Sequence, residues 1–404
     1  MDAKKILNAI TNIFFALKGN NFNGNKFAQE AINKGASFAI VDEEIFPKNK
    51  KIILVDNTLK TLQELATHHR RKLSIPFIGI TGSNGKTTSK ELINNVLNSK
   101  FKSYATEGNL NNHIGVPLSI LKVHEKKHEI AIIEMGANHE KEIDFLCQMA
   151  MPTHGIITNI GSAHLEGFKN LQGVINAKSE LYQYIQKNNG TIFVNAQDKL
   201  LMELSKNIKK ITYGNHGDCK GNILKNTPFI NIKFNTVEIA SNLIGEYQFN
   251  NIMLAICVGQ RFGVLDIDIK NSIQKYKPKN NRSEIIKTDK NILILDAYNA
   301  NPSSMKEMIT SFAKQEYSNK LCILGDMLEL GKYTEEKHID IIKLVEKLKL
   351  EVILIGEEFY NVSKKSFRNR EDFETFLKSQ PIKKKTILLK GSRGLQLEKL
   401  TKYL

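Results

Sequence analysis

Apolar residues along this chain gather in short runs of strand length, each followed by a polar or glycine-containing turn and then a stretch with helical spacing. The clearest runs are Ala39-Ile40-Val41, Phe77–Thr81, Ile130–Glu134, Gly155–Asn159, Thr191–Asn195, Ile292–Asp296, Cys322–Gly325, Val352–Gly356 and Ile387–Lys390. Continuous apolar strands that alternate with helices predict an α/β protein with mostly parallel sheets covered on both faces. Many of these runs end on a polar residue: Glu134, Asn159, Asn195, Asp296, Asp326 or Lys390. Open α/β sheets bind ligands beyond the carboxyl ends of their strands, so the chemistry is expected at these ends. Residues 217–245 break the rhythm with isolated β-like pieces, an excursion from the parallel sheet. Two polar breaks mark boundaries, Arg70–Pro76 and the Pro-containing Lys275–Asn281. They divide the chain into units at 1–73, 74–279 and 280–404, and 404 residues suit about two or three domains.

One turn stands out. Residues 79–88 read Gly-Ile-Thr-Gly-Ser-Asn-Gly-Lys-Thr-Thr, with the apolar run Phe77–Thr81 before them and a helix-compatible segment from about Thr87. A strand, a glycine-rich loop and a helix N-terminus together offer successive N–H groups to phosphate oxygens. Gly82, Ser83, Asn84, Gly85, Lys86, Thr87 and Thr88 are therefore expected to bind a nucleoside triphosphate such as ATP. Lys86 reaches the outer phosphates as a point charge, and the Thr87 hydroxyl can ligate Mg²⁺. The common form of this loop has a glycine where Ile80 stands; here glycines lie at 79 and 82, so the loop is a variant.

Composition narrows the partners. The formal charge is +16, which invites a nucleic-acid reading. The lysines, however, are spread along the chain, with only short clusters such as Lys48–Lys51 and Lys383–Lys385, and no aromatic residues interleave a basic stripe. An anionic small-molecule substrate is the better expectation, and no nucleic acid. No apolar run is long enough for a membrane span, so no membrane insertion is expected. Cys147, Cys219, Cys257 and Cys322 are far apart with no CxxC pair, which suits buried thiols in a reducing, cytoplasmic setting.

Further chemistry lies at the strand ends. Glu134 closes Ile130–Ile133 downstream of the phosphate loop, where a Mg²⁺ ligand is expected, although a solvated strand-end carboxylate has the same spacing. His164 follows another strand in Thr158–Glu166 and reads equally well as a ligand or as a structural histidine. Lys178, in Asn176–Glu180, reads by itself as a solvated helix lysine. The last third carries Asp296–Met305, Gly325–Gly331 and Lys390–Arg393, with Arg282 at its entry. An arginine delivered by another domain to a triphosphate adds positive charge where the transferred group gains negative charge.

Taken together, these segments resemble the Mur ligases. The resemblance runs from about Phe14 to Arg393. It includes Phe15–Gly19 with Phe22–Gly24, the loop at 79–88, Glu107–Pro117, Glu134–His139, Asn159–Phe168, Tyr298–Pro302, Gly325–Gly331 and Lys390–Arg393. It implies a three-domain ATP-dependent amide ligase: a small N-terminal α/β domain for a UDP-sugar, a central P-loop-type domain for ATP, and a C-terminal Rossmann-like domain. Asn109–Pro117 and Tyr298–Pro302 point to the member of the family that joins D-alanyl-D-alanine to UDP-N-acetylmuramoyl-tripeptide through an acyl phosphate. Catalytic roles then pass to Lys86, Glu134, His164, Lys178 and Arg282. Metal ligation is implied for Thr87, Glu134, His164 and Lys178, the last as a CO₂-derived carbamate. Asn251 and Asp296 would contact adenine and ribose. Asn111, Asn112, His113, Tyr298, Asn299 and Asn301 would contact the other substrates, and the enzyme would act as a monomer. Two positions depart from the family pattern. Only Met1–Lys4 stands where a uridine-touching segment usually lies, and Gln248 replaces an expected asparagine. Other readings are a different Mur-type or folate polyglutamate-type ligase, or a P-loop ATPase acting on nucleic acid.

Overall fold

The computed structural model describes residues 13–44 and 49–404. Met1–Lys4 lies outside the described residues. Three sheets and a small hairpin organise the chain.

The first sheet is parallel, in the order β1-β4-β5, from β1 (Ile13–Phe15), β4 (Phe38–Val41) and β5 (Ile52–Leu54), with the hairpin β2 (Lys18–Gly19) and β3 (Phe22–Asn23) beside it. Its helix Thr58–Arg71 leans on the next unit. Leu62 shares an apolar cluster with Phe15, Ile40 and Leu118. Arg70, at the helix end, is buried and donates to the carbonyls of Leu73 (2.8 Å), Ala150 (2.7 Å) and Met151 (2.9 Å), with its guanidinium 3.8 Å from the Phe77 ring centroid. One planar fork thus ties the boundary segment to the start of the central sheet.

The central sheet comprises β6 (Phe77–Thr81), β7 (Ser103–Ala105), β8 (Ile130–Glu134), β9 (His154–Ile157), β10 (Thr191–Asn195), β11 (Lys210–Gly214), β12 (Cys219–Lys225), β13 (Asn231–Phe234) and β14 (Val237–Ala240). Their order is β14-β13-β12-β11-β10-β9-β6-β8-β7. The expected excursion at 217–245 is the antiparallel run β12–β14, which continues the same sheet at one edge. β6, β8 and β10 are buried along their whole length, as their unbroken apolar runs require. The chain leaves β6 to build β8 and β7 on one side and β9 and β10 on the other. The glycine loop after β6 therefore sits at the topological switch point, where a crevice opens.

The third sheet, β15-β16-β19-β17-β18, uses β15 (Glu284–Lys287), β16 (Ile292–Asp296), β17 (Lys320–Gly325), β18 (Glu351–Ile355) and β19 (Thr386–Lys390); only β15 is antiparallel. Register places Asp296 beside Lys390 at the carboxyl ends of β16 and β19. A single buried apolar cluster passes from Ile133 and Leu181 of the central unit to Met305, Phe312 and Leu324 of the third. The two units therefore share a core. The four cysteines are buried free thiols, and no helix among the described residues is long and apolar enough to cross a membrane.

Replacing Arg70 with Met strands three carbonyls at this junction. We expect a loss on the order of 3 kcal/mol in urea unfolding. An unchanged midpoint would show that the fork does not carry the junction.

Candidate functional site

Two glycines shape the phosphate loop. Gly82 has φ +143° and lies so close to Thr158 that an added Cβ would come within 2.0 Å of its hydroxyl. Gly85, at φ +76°, starts the helix Lys86–Leu97 against the Asn251 amide. The loop is pinned from the segment just after β9 as well as by its own lysine. Asn159 accepts from the Ser83 N–H on its carbonyl (3.0 Å) and from the Asn84 N–H on its side chain (3.0 Å), and donates to the Asn84 carbonyl at 3.1 Å. The Thr158 hydroxyl donates to that carbonyl at 2.6 Å. The first amides of the helix Lys86–Leu97 have no preceding helical carbonyl to bond, which leaves them for an anion. Lys86 folds back on the loop, donating to Gly82 (2.5 Å) and Ser83 (3.3 Å) carbonyls. Burial lowers the pKa of its ammonium; Glu134 opposes that and Arg282 adds to it. An arriving phosphate would relieve this cationic crowding.

Glu134 is buried at the tip of β8. Its Oε1 accepts from Asn111 (2.9 Å) and from the Thr87 hydroxyl (3.3 Å), while its N–H donates to the Thr106 hydroxyl at 3.0 Å. Its Oε2 has no hydrogen-bond partner among the described residues. A buried carboxylate oxygen with free lone pairs beside a threonine hydroxyl suits a hard cation. Among the described residues no three His, Cys, Asp or Glu side chains converge on a metal site. A Mg²⁺ here would thus lean on Glu134, Thr87, phosphate oxygens and water, the usual arrangement for this ion with nucleotides.

The third unit closes over the loop. Asn301 caps the helix Pro302–Lys314 with its oxygen and donates its amide to the Asn84 side chain at 2.8 Å. Ser303 accepts from the Ser162 N–H at 3.1 Å. Asp296 pairs with the buried Lys390 (2.6 Å) and accepts from Ser283 N–H (3.0 Å). The Arg282 guanidinium stacks on the Tyr298 ring, 3.7 Å from its centroid, and Arg393 flanks the same ring at 5.0 Å. His164 pairs through Nδ1 with Glu329 of the Gly325–Gly331 segment, and its ring lowers the pKa of the Glu329 carboxyl. Its contact is with the third unit, not with Glu134.

Lys178 has almost no exposed surface, lies 3.5 Å from the Ala137 carbonyl, and has its pKa pulled down to about 7 by burial, with Lys86 adding and Glu142 and Glu180 opposing. The expectation of a solvated helix lysine fails here. The helix Leu171–Lys187 turns this residue inward, among Ala177 and Leu181.

A cavity of about 550 Å³ collects nearly every sequence-predicted residue: Ser83 to Thr88, Asn111 to His113, Glu134, His164, Asn251, Arg282, Asp296, Tyr298, Asn299 and Asn301. Gly82 and Lys178 do not line it, although each adjoins a lining residue, Ser83 and Ala137 respectively. Asn112 holds the turn before the helix Gly115–Leu121 by accepting from Ile114 and Gly115 N–H groups. Asn251 is already engaged, accepting from Ser89 (3.0 Å) and donating to Gln248 (2.7 Å). Sequence reasoning missed Lys90, Asn159 as the loop's anchor, and Glu329. Lys90 had a legible signal: it shares a helical stripe with Ile93 and Leu97, an apolar face where a lysine is out of place.

Two family profiles match the chain, the Mur ligase middle domain over residues 80–259 and the Mur ligase, glutamate ligase domain over residues 281–393. The chain is 34% identical to a UDP-N-acetylmuramoyl-tripeptide--D-alanyl-D-alanine ligase of Bacillus subtilis, covering 97% of this chain and 90% of the relative. It is 33% identical to the enzyme of that name from Haemophilus influenzae, covering 96% and 89%. Among solved structures it is similar to a MurF from Acinetobacter baumannii (TM-score 0.88, 29% identity, 100% and 92% covered). A MurF ligase from Thermotoga maritima in complex with ADP gives a TM-score of 0.84 at 27% identity, with 100% and 95% covered.

Gly82→Ala forces Thr158 away from Asn84. We expect nucleotide binding at least about tenfold weaker in a fluorescence titration, because the loop amides that would bond a charged phosphate shift with Asn84. Unaltered affinity would show that the loop tolerates the displacement.

Proposed function

The chain belongs to the Mur ligase family, and from that premise we propose that it is an ATP-dependent, ADP-forming ligase that joins D-alanyl-D-alanine to UDP-N-acetylmuramoyl-tripeptide. The product is the pentapeptide precursor of peptidoglycan. One observation carries this reading: a single cavity is lined by the phosphate loop and Glu134 from the central unit and by Arg282, Asp296, Tyr298 and Asn301 from the third. Such a cleft can hold a triphosphate against a second anion.

The reaction needs that arrangement because a carboxylate and a triphosphate repel each other. In the first step a carboxylate oxygen of the tripeptide attacks the γ-phosphorus, the bond to the bridging oxygen breaks, and ADP leaves with that electron pair. The dipeptide amine then attacks the acyl carbon and loses a proton, and the tetrahedral intermediate expels phosphate. Lys86 and Arg282 supply positive charge to the transferred group, and the amides at the start of the helix Lys86–Leu97 cradle its oxygens. Thr87 and Glu134, the latter oriented by Asn111, would hold Mg²⁺, which when bound adds Lewis-acid charge to the phosphates. Asp296, braced by Lys390 and Ser283, would contact the nucleotide sugar. For Asn251 to meet adenine, it must exchange a bond with Ser89 or Gln248. His164 serves the closed form through Glu329.

Lys178 is the proposed carbamate. Its low pKa provides the neutral amine that the reaction with CO₂ requires: nitrogen attacks the carbon, a proton leaves, and a cation becomes an anion beside Lys86. We assign residues 1–73 to the UDP-sugar, 74–279 to ATP and 280–404 to the dipeptide, and the protein to the cytoplasm, where both nucleotides are made.

Phosphate release should require ATP, UDP-N-acetylmuramoyl-tripeptide and D-alanyl-D-alanine together, with single amino acids and DNA inactive in the dipeptide's place and folates inactive in the tripeptide's. Stimulation by DNA and none by the dipeptide would overturn the assignment. Lys178→Ala should lose most turnover, and an added short carboxylic acid should restore part of it. Full activity in that variant would refute the carbamate.

A further inference from the structure

The Lys90 side chain has no exposed surface. A buried ammonium is costly unless its donors and its charge find partners. Lys90 Nζ donates to the Thr106 carbonyl at 2.5 Å and lies 3.0 Å from Glu91 Oε1 and 3.7 Å from Glu134 Oε2. Thr106 in turn takes the Glu134 N–H on its hydroxyl. Lys90 therefore grips Glu134 twice, through the backbone by way of Thr106 and through the carboxylate by charge. At 3.7 Å the ammonium attracts Oε2 without occupying its lone pairs, which stay free of any hydrogen bond among the described residues. On the other side, Asn111 and Thr87 hold Oε1.

A lysine on the apolar stripe of Ile93 and Leu97 is a poor choice for stability alone, because apolar replacements of buried ion pairs are often neutral or stabilising. We propose that Lys90 is a positioning residue: a buried counter-charge that fixes the Glu134 carboxylate and presents its free oxygen to the metal–nucleotide complex. This rests on reading Glu134 as the group that holds the metal. Lys90 does not touch substrate; it acts through Glu134.

The test uses the full chain and the variants Lys90→Met, Lys90→Gln (which keeps a donor for the Thr106 carbonyl), Glu134→Gln and the two doubles. The first readout is thermal melting without ligand. Coupling predicts that each double melts higher than the two single losses added together would allow, and at or above Glu134→Gln, which leaves Lys90 only the half-exposed Glu91 as a charge partner. A double that folds where a single does not supports the pairing. Additive losses, or doubles no more stable than the worse single, overturn it.

The second readout is calorimetric binding of a non-hydrolysable ATP analogue at stepped Mg²⁺ concentrations. In Lys90→Met or Lys90→Gln the Mg²⁺ half-point should rise about tenfold or more, with Mg²⁺-free affinity within about twofold of the parent. A lysine with only a structural role leaves the half-point where it was, and that result overturns the proposal. If Glu134→Gln itself leaves the half-point unmoved, the metal reading of Glu134 fails instead, and the melting cycle alone decides the case of Lys90.

Discussion

An excess of buried positive charge around one carboxylate governs this molecule. Lys86, Lys90 and Lys178 are wholly or partly withdrawn from water near the phosphate loop, and Arg282 adds a fourth cation; Glu134 acts on Lys86 and Lys90, while Glu142 and Glu180 act on Lys178. In a low-dielectric pocket such a set is poorly balanced without further anions. A triphosphate, a peptide carboxylate and a carbamate would each correct the balance. The same crowding shows in two side chains: Lys86 turns back onto carbonyls of its own loop, and burial with Lys86 nearby lowers the pKa of Lys178 toward neutrality.

The second constraint is that the site belongs to no single unit. Asn84 is the meeting point. Its backbone is held by Asn159 and Thr158 from the central sheet, and its side chain accepts from Asn301 of the third unit. His164 and Glu329 make a parallel link, reinforced by the Glu166 N–H donating to the Glu329 carbonyl at 3.1 Å. Any movement of the third unit must break these bonds, so loop geometry and domain closure are coupled by direct contact.

How much was legible follows from range. Strand positions such as Phe77–Thr81, Ile130–Glu134 and Thr191–Asn195 were readable because strands buried on both faces demand unbroken apolar runs, and the structure has them with the same bounds. The phosphate loop was readable because its glycines and lysine act locally. Lys178 reads by itself as a solvated lysine and is buried in the structure: helical periodicity places a residue on a face but does not say what covers that face. Lys90 carried the opposite signal, a charge on an apolar stripe, yet only the position of Thr106 and Glu134 explains it.

The sequence by itself determined the α/β architecture, the nucleotide loop and the polar strand ends, because each depends on neighbours within a few residues. Tertiary structure decided which strand ends meet. The switch point at β6 brings Glu134 to Thr87, register sets Asp296 against Lys390, and docking of the third unit lays Asn301 on Asn84. Those pairings join residues far apart in the chain, and their cost in lost chain freedom is recovered only when the shared apolar core forms.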